Sequence, residues 1–197
     1  MASFHAIAAT ARSLERLLNA AYDADEPIAG STTRAVVVRS DEFDLSIADS
    51  PITFPALSIF LYRVTVDAAT RASSAAGSQA DGRSHLPLNL HFLLTAWADN
   101  AEFEHLVLGR TIQALEDDPV LTGPLLVPSA TWAEHEVVQV VPDETALDDV
   151  LRTFDALEAG FRLSVGYVAR VVRLDGHEPT DLQPVRTVID GLVPSVP

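Results

Sequence analysis

The segment that most limits the possible folds of this chain is residues 86–121, where a strand pattern passes through a short polar turn into a helix pattern. Every second residue at the start of this segment is large and apolar: Leu88, Leu90, Phe92 and Leu94. The residues between them are mixed, namely Asn89, His91, Leu93 and Thr95. This period of two predicts a strand with one fully apolar face and one mixed face.

The helix pattern follows directly, and we predict Asp99 as its N-cap. The residues Phe103, Leu106, Val107, Leu108, Ile112, Ala114 and Leu115 form an apolar stripe at helical spacing. Glu102 and Glu104 lie in the first turn, where the helix dipole favours negative charge. Asp118-Pro119 ends the helix, because the residue before a proline is disfavoured in helical geometry.

The remaining patterns predict two more helices and several strands. An amphipathic helix is expected at residues 4–22, and strands at 34–39, 43–47, 56–66, 134–141 and 161–174. A further helix is expected from a cap at Asp143 or Thr145 to Leu157, and its apolar stripe is Leu147, Val150, Leu151 and Phe154. Residues 67–84 are predicted as a loop and 120–129 as irregular chain. This order predicts an α+β fold, a single domain with a mixed β-sheet and helices packed against it.

The end of the chain has a different character. Residues 175–197 contain Pro179, Pro184, Pro194 and Pro197, and their apolar residues are too few to form a core. We therefore assign residues 1–174 to the domain and residues 175–197 to a Pro-rich, extended C-terminal arm. Two outcomes are open for this arm: it adds a strand to a neighbouring subunit, or it stays disordered.

Composition excludes several classes of function. Thirteen basic residues, all arginine, oppose 28 acidic ones, and the net charge of −15 argues against nucleic acid or an anionic membrane as a partner. Cysteine is absent, which rules out disulfides, thiolate metal sites and cysteine nucleophiles. No apolar run approaches the length of a membrane span, and we expect no signal peptide.

The candidate catalytic and metal-binding residues are few. Glu102 and His105 have the spacing of a helical metal-ligand pair, but a di-metal bundle needs further glutamates on facing helices. Glu134 and Glu136 flank His135, yet on a strand they point to the opposite face. His91 lies on the mixed strand face, and we expect it to pair with an acidic side chain in a structural role. Serine-nucleophile and phosphate-binding motifs are missing, so no catalytic, cofactor-binding or metal residues are predicted.

Three blocks of sequence, in order, resemble one known family. The first is Pro55-Ala-Leu-Ser-Ile-Phe-Leu-Tyr-Arg-Val64. The second contains Thr95-Ala96-Trp97, Glu104-His105, Leu108-Gly109 and Asp118-Pro119-Val120-Leu121. The third is Phe161-Arg-Leu-Ser-Val-Gly-Tyr-Val-Ala-Arg170. Over roughly residues 5–174 the chain resembles the cap, or tail-terminator, proteins of phage-tail-like contractile injection systems. It departs from the family pattern in two places, with Phe161 in place of a tyrosine and Val107-Leu108 in place of a leucine pair.

The resemblance implies a structural role. The chain is expected to be a cap subunit that closes the distal end of a tube and sheath and stops their polymerisation, without a cofactor. The implied partners are further copies in a ring, a hexamer, and the tube and sheath proteins. The implied location is the cytoplasm during assembly and then a particle that stays intracellular or is released. Two alternatives remain open: an adaptor or assembly chaperone of the same particle, and a small metal-dependent enzyme using Glu102, His105 and His135.

Interface residues can be suggested from side-chain type. Bulky rings near strand edges or turns often anchor protein contacts, although core burial is their commoner fate, and arginine forks suit carboxylates at interfaces. The candidates are Tyr62, Arg63, Trp97, Trp132, Val185, Val188, Ile189 and Leu192.

Overall fold

A computed structural model describes residues 4–44, 50–75, 85–130, 132, 135–157 and 160–176. The helices are α1 (Ala6–Ala24), α2 (Ala68–Ala75), α3 (Ala101–Asp117) and α4 (Leu147–Ala156). The strands are β1 (Arg34–Val38), β2 (Ala56–Val66), β3 (His85–Trp97), β4 (Val120–Thr122), β5 (Val137–Pro142) and β6 (Ser164–Asp175). Two short 3-10 helices occupy Ser40–Phe43 and Gly123–Leu125. The predicted α+β domain with a mixed sheet is confirmed.

The six strands form one sheet in the order β1-β2-β3-β6-β5-β4. β1 and β2 are parallel, and the other pairs are antiparallel. β1 reaches β2 only as far as the pair Val38 and Phe60, and β5 reaches β6 only as far as the pair Gln139 and Arg170. The ends of β2 and β6 therefore project beyond their outer neighbours, with the start of β3 between them. We call this part, residues 61–66, 85–90 and 171–175, the three-stranded extension.

One face of the sheet, the first face, is covered by α1 and α3. Its buried side chains include Leu14, Leu18, Tyr22, Leu57, Ile59, Phe92, Leu94, Val107 and Leu115. The Tyr22 hydroxyl lies 2.6 Å from Thr111 Oγ1 and so links α1 to α3. Burial raises the pKa of Tyr22 well above its ordinary value, which keeps this phenol protonated and able to donate.

The opposite face, the second face, carries a smaller aromatic cluster. Its members come from the first 3-10 helix, from β2 and β3 and from α4: Phe43, Phe60, Trp97 and Phe154. The Phe43 ring meets Trp97 edge-on at 5.7 Å between centroids and Phe60 at 5.3 Å. Trp97 Nε1 donates to Ser58 Oγ at 2.9 Å, so the buried indole keeps a hydrogen bond.

Several predicted elements need correction. The start of the strand predicted at 43–47 is wrong, because Ser40–Phe43 is a 3-10 helix that directs Phe43 into the aromatic cluster. The other two residues of that pattern, Leu45 and Ile47, lie outside the described residues. The predicted loop at 67–84 contains α2. Asp67 Oδ1 accepts from the Thr70 backbone N–H at 2.7 Å, and this cap supports the first turn. The irregular segment at 120–129 contains β4.

The predicted caps also differ. Asn100, not Asp99, caps α3, because Asn100 Oδ1 accepts from the Phe103 N–H at 2.9 Å. Neither Asp143 nor Thr145 caps α4, whose N-cap is Ala146. Both side chains are instead directed to the second face of the sheet, as described below.

Candidate functional site

The second face continues beyond the aromatic cluster as a polar cluster, made of Tyr62, Thr65, His91, Asp143 and Thr145. A glycine makes this arrangement possible. A Cβ atom on Gly166 would lie 2.7 Å from Thr145 Oγ1 and 2.9 Å from the Asp143 carbonyl oxygen. The Asp143 N–H donates to the Gly166 carbonyl at 2.9 Å. The turn that precedes α4 can therefore lie directly on β6 and bring Asp143 over the sheet.

His91 is the centre of the polar cluster and is 8% exposed. Its Nδ1 lies 2.6 Å from Asp143 Oδ2, and its Nε2 lies 3.0 Å from Thr65 Oγ1. We assign a proton to Nδ1 from the short contact with a carboxylate, since two lone pairs would otherwise face each other. In the neutral ring Nε2 then accepts from the Thr65 hydroxyl. The prediction that His91 pairs with an acidic side chain is confirmed.

Tyr62 and Arg63 form the outer wall of this cluster. The β2–β3 register shifts between Leu61 and Arg63, so Tyr62 is the extra residue of a β-bulge. Its hydroxyl lies 3.4 Å from Thr145 Oγ1 and 3.5 Å from Asp143 Oδ2, which are long for hydrogen bonds. Arg63 Nη2 is 3.9 Å from Asp143 Oδ2, and its side chain is 52% exposed. Arg63 Nη2 also lies 3.2 Å from His91 Nδ1, and about half of the side chain is open to a partner.

The two tryptophans occupy different environments. Trp97 is 1% exposed, and Arg162, which binds Glu104 at 3.0 Å, covers its ring with Cζ 4.5 Å from the centroid. Its ring thus belongs to the core and offers no surface in this chain. Trp132 is half-buried and donates through Nε1 to the Val127 carbonyl at 2.7 Å. The other candidates, Val185, Val188, Ile189 and Leu192, lie outside the described residues.

Exposed apolar side chains occur in places that the sequence patterns did not indicate. Leu147 and Leu151 of the predicted α4 stripe remain exposed, because this short helix reaches the sheet through Phe154 and Val150. Phe161 and Leu163 are exposed just before β6. On the three-stranded extension, Val64 and Val66 are 45% and 40% exposed. The sequence signal for this last pair is that residues 56–66 carry large apolar side chains on both faces of the strand, a pattern typical of a strand that is covered on both sides.

The residues behind the metal alternative do not form a centre in the described part of the chain. Glu102, His105 and His135 are all exposed. Within the described ranges, no three His, Asp or Glu side chains lie close enough together to hold one ion. Of the helices in those ranges, none combines the length and apolar character needed to cross a bilayer.

The fold and these surfaces define an α+β protein whose exposed apolar side chains suit protein–protein contacts. The model of the Pvc16 N-terminal domain family matches residues 9–187. This chain belongs to the Pvc16 N-terminal domain family, and the match confirms the resemblance to the tail terminators of contractile injection systems. No curated protein sequence matches the chain.

Two solved structures resemble it. One is the PVC sheath/tube terminator of an extracellular contractile injection system in the extended state, with 20% identity, 94% of this chain and 64% of that chain covered, and a TM-score of 0.52. The other is the tube-terminating cap of the anti-feeding prophage, with 19% identity, 92% and 59% covered, and a TM-score of 0.49. This chain therefore spans less than two thirds of the length of either one.

Proposed function

We propose that this protein is a structural cap that closes the distal end of the tube and sheath of a contractile injection system. The family match over residues 9–187 carries this proposal, and the fold shared with a sheath/tube terminator supports it. The cap acts as a ring of identical copies, six in number as the sequence resemblance implies. Its partners are the last layers of tube and sheath, and it performs no catalysis.

The mechanism is geometric. Tube and sheath polymers grow through head-to-tail contacts that never close by themselves, so each added layer presents a site for the next. A ring that offers only one complementary face occupies the last site and creates no new one. Growth stops at that layer, and the same contacts hold the tube and the extended sheath in register. Assembly takes place in the cytoplasm, and the cap then remains part of a particle that is retained or released.

Electron microscopy of particles with and without the protein tests this function. Without it, we expect tubes and sheaths with a broad length distribution, and re-expression of the chain should restore a narrow one. Particles of defined length in its absence would reject the role. Immunolabelling should place the protein at one terminus of each particle, whereas an assembly chaperone would be absent from finished particles.

Removing the C-terminal arm tests whether the arm is needed for docking on the particle but not for folding of the domain. The last strand includes Asp175, whose carboxylate pairs with His85 on β3, so the cut belongs after Gly176 and not after residue 174. We expect a chain ending at Gly176 to keep the cooperative thermal transition of the full-length protein and to cap fewer particles. Loss of that transition would show that residues 177–197 belong to the domain.

A further inference from the structure

Among the described strands, none covers the outer edge of β2 in the three-stranded extension, and we call this the open edge. The β1 ladder ends at Val38 and Phe60, and no other described strand pairs with residues 61–66 on that side. Val64 and Val66 are exposed on one face of this edge and Arg63 on the other. An exposed, partly apolar strand edge presents unpaired backbone donors and acceptors, and it readily adds another strand.

We propose that this edge receives a strand formed by residues 185–193 of a neighbouring copy in the ring. The inference rests on the proposed cap function and names the contact that would join one copy to the next. We commit to a neighbouring copy as the source, because a ring of identical copies needs a contact that joins each copy to the next.

The chemistry of the segment fits the edge. Residues 185–193, Val-Arg-Thr-Val-Ile-Asp-Gly-Leu-Val, are the longest stretch without proline after β6, and Pro184 and Pro194 bound it. In an antiparallel register with Ile189 opposite Val64, Asp190 falls opposite Arg63 and Gly191 opposite Tyr62. The apolar pair then shares one face and the ion pair the other. Directly opposed side chains of these types stabilise strand pairing.

The connection is long enough to reach another copy. Residues 177–184 separate the end of β6 from the segment, and eight extended residues span at most about 28 Å. β6 ends on the same extension that carries the open edge, two strands away from it. The same reach would allow the segment to fold back onto its own β2. The experiment must therefore distinguish pairing within one copy from pairing between two copies.

The absence of cysteine makes disulfide trapping free of background. Single variants Val64→Cys and Ile189→Cys would be purified, mixed, oxidised and run on a non-reducing gel, while native mass spectrometry records the ring. We expect a cross-linked pair in the mixture and none from either variant alone. The control mixes Ile189→Cys with Val137→Cys, a similarly exposed valine on β5, and should give no cross-link. A second pair, Thr65→Cys with Val188→Cys, samples the neighbouring position of the ladder, where side-chain spacing differs.

Each outcome decides the proposal. Rings without either cross-link would overturn strand exchange and leave the cap function intact. A protein that stays monomeric at every concentration, without cross-links, would overturn both. A monomer with an internal disulfide in the Val64→Cys/Ile189→Cys double variant would assign the segment to its own edge.

Charge reversal gives a second readout that is independent of disulfide geometry. Arg63→Glu or Asp190→Arg alone should lower the yield of the Val64–Ile189 cross-link by up to about fivefold, as expected for losing one cross-strand ion pair. The double reversal should restore it. Equal yields in all four proteins would place Asp190 away from Arg63 and reject the register.

Discussion

The two faces of the sheet are built in different ways. The first face is one continuous apolar layer in which the stripes of α1 and α3 meet the apolar positions of β2, β3 and β6. The second face combines an aromatic cluster with the polar cluster around His91, and both depend on short segments that are distant in sequence. Regular elements thus supply the general stability of the domain, while turns and short helices decide what the second face presents.

This difference predicts different responses to mutation. On the first face a side chain contributes through the volume that it fills. On the second face a residue contributes by allowing a particular close contact between two segments, such as the contact of the turn at Asp143 with Gly166. The predictions below test this division, beginning with the largest expected change.

Phe92→Ala should produce the greatest loss of stability. The ring is fully buried on the first face, and removing it leaves a cavity, so the free energy of unfolding should fall by about 3–5 kcal/mol. Urea denaturation measures this change. The control Val137→Ala, at an exposed position on β5 outside the proposed contact, should stay within about 0.5 kcal/mol of the unmutated protein. A loss below about 1 kcal/mol for Phe92→Ala would show that the first face can close around the cavity.

Gly166→Ala tests the second face. The added methyl would collide with Thr145 Oγ1 and the Asp143 carbonyl, so we expect a loss of about 1–3 kcal/mol as the turn is displaced. The matched control is Gly109→Ala in α3, where nothing lies within 4 Å of the new Cβ. There, alanine should raise the free energy of unfolding by about 0.5–1 kcal/mol through helix propensity.

Nuclear magnetic resonance would show whether the Gly166→Ala substitution disturbs the polar cluster. The His91 imidazole resonances should shift strongly in Gly166→Ala and remain unchanged in Gly109→Ala. If Gly166→Ala is as stable as the unmutated protein and keeps the His91 resonances, the close approach of the turn is not required.

The sequence predicted the first face well because periodicity reports it directly. Alternation at Leu88, Leu90, Phe92 and Leu94 located β3, and helical spacing located α1 and α3. The order of the strands in the sheet could not be predicted from the sequence. β6 pairs with β3 on one side and with β5 on the other, and no local pattern encodes these contacts. The helix α2 was missed because its Ala- and Ser-rich sequence has no apolar stripe, and its Asp67 cap gives only a weak signal.

The candidate surfaces were predicted less completely. His91 was expected to pair with an acid, but Asp143 lies 52 residues away and was expected to cap a helix. Trp97 was a plausible surface ring by residue type, whereas Arg162 and the aromatic cluster enclose it. The open edge of β2 depends on where β1 stops pairing, and a sequence pattern does not report that length.

The cap of α3 provides the smallest test, because it concerns the end of one helix that covers the first face. Asn100→Ala removes the side-chain oxygen that accepts from the Phe103 N–H, and we expect the free energy of unfolding to fall by about 1 kcal/mol. Asp99→Ala changes the residue that the sequence pattern predicted as the N-cap, and here the free energy of unfolding should fall by less than about 0.5 kcal/mol. Parallel urea titrations measure both. The reverse order would mean that Asp99 supplies the cap in solution and that α3 begins one residue earlier, while equal losses would mean that the two side chains share the first turn.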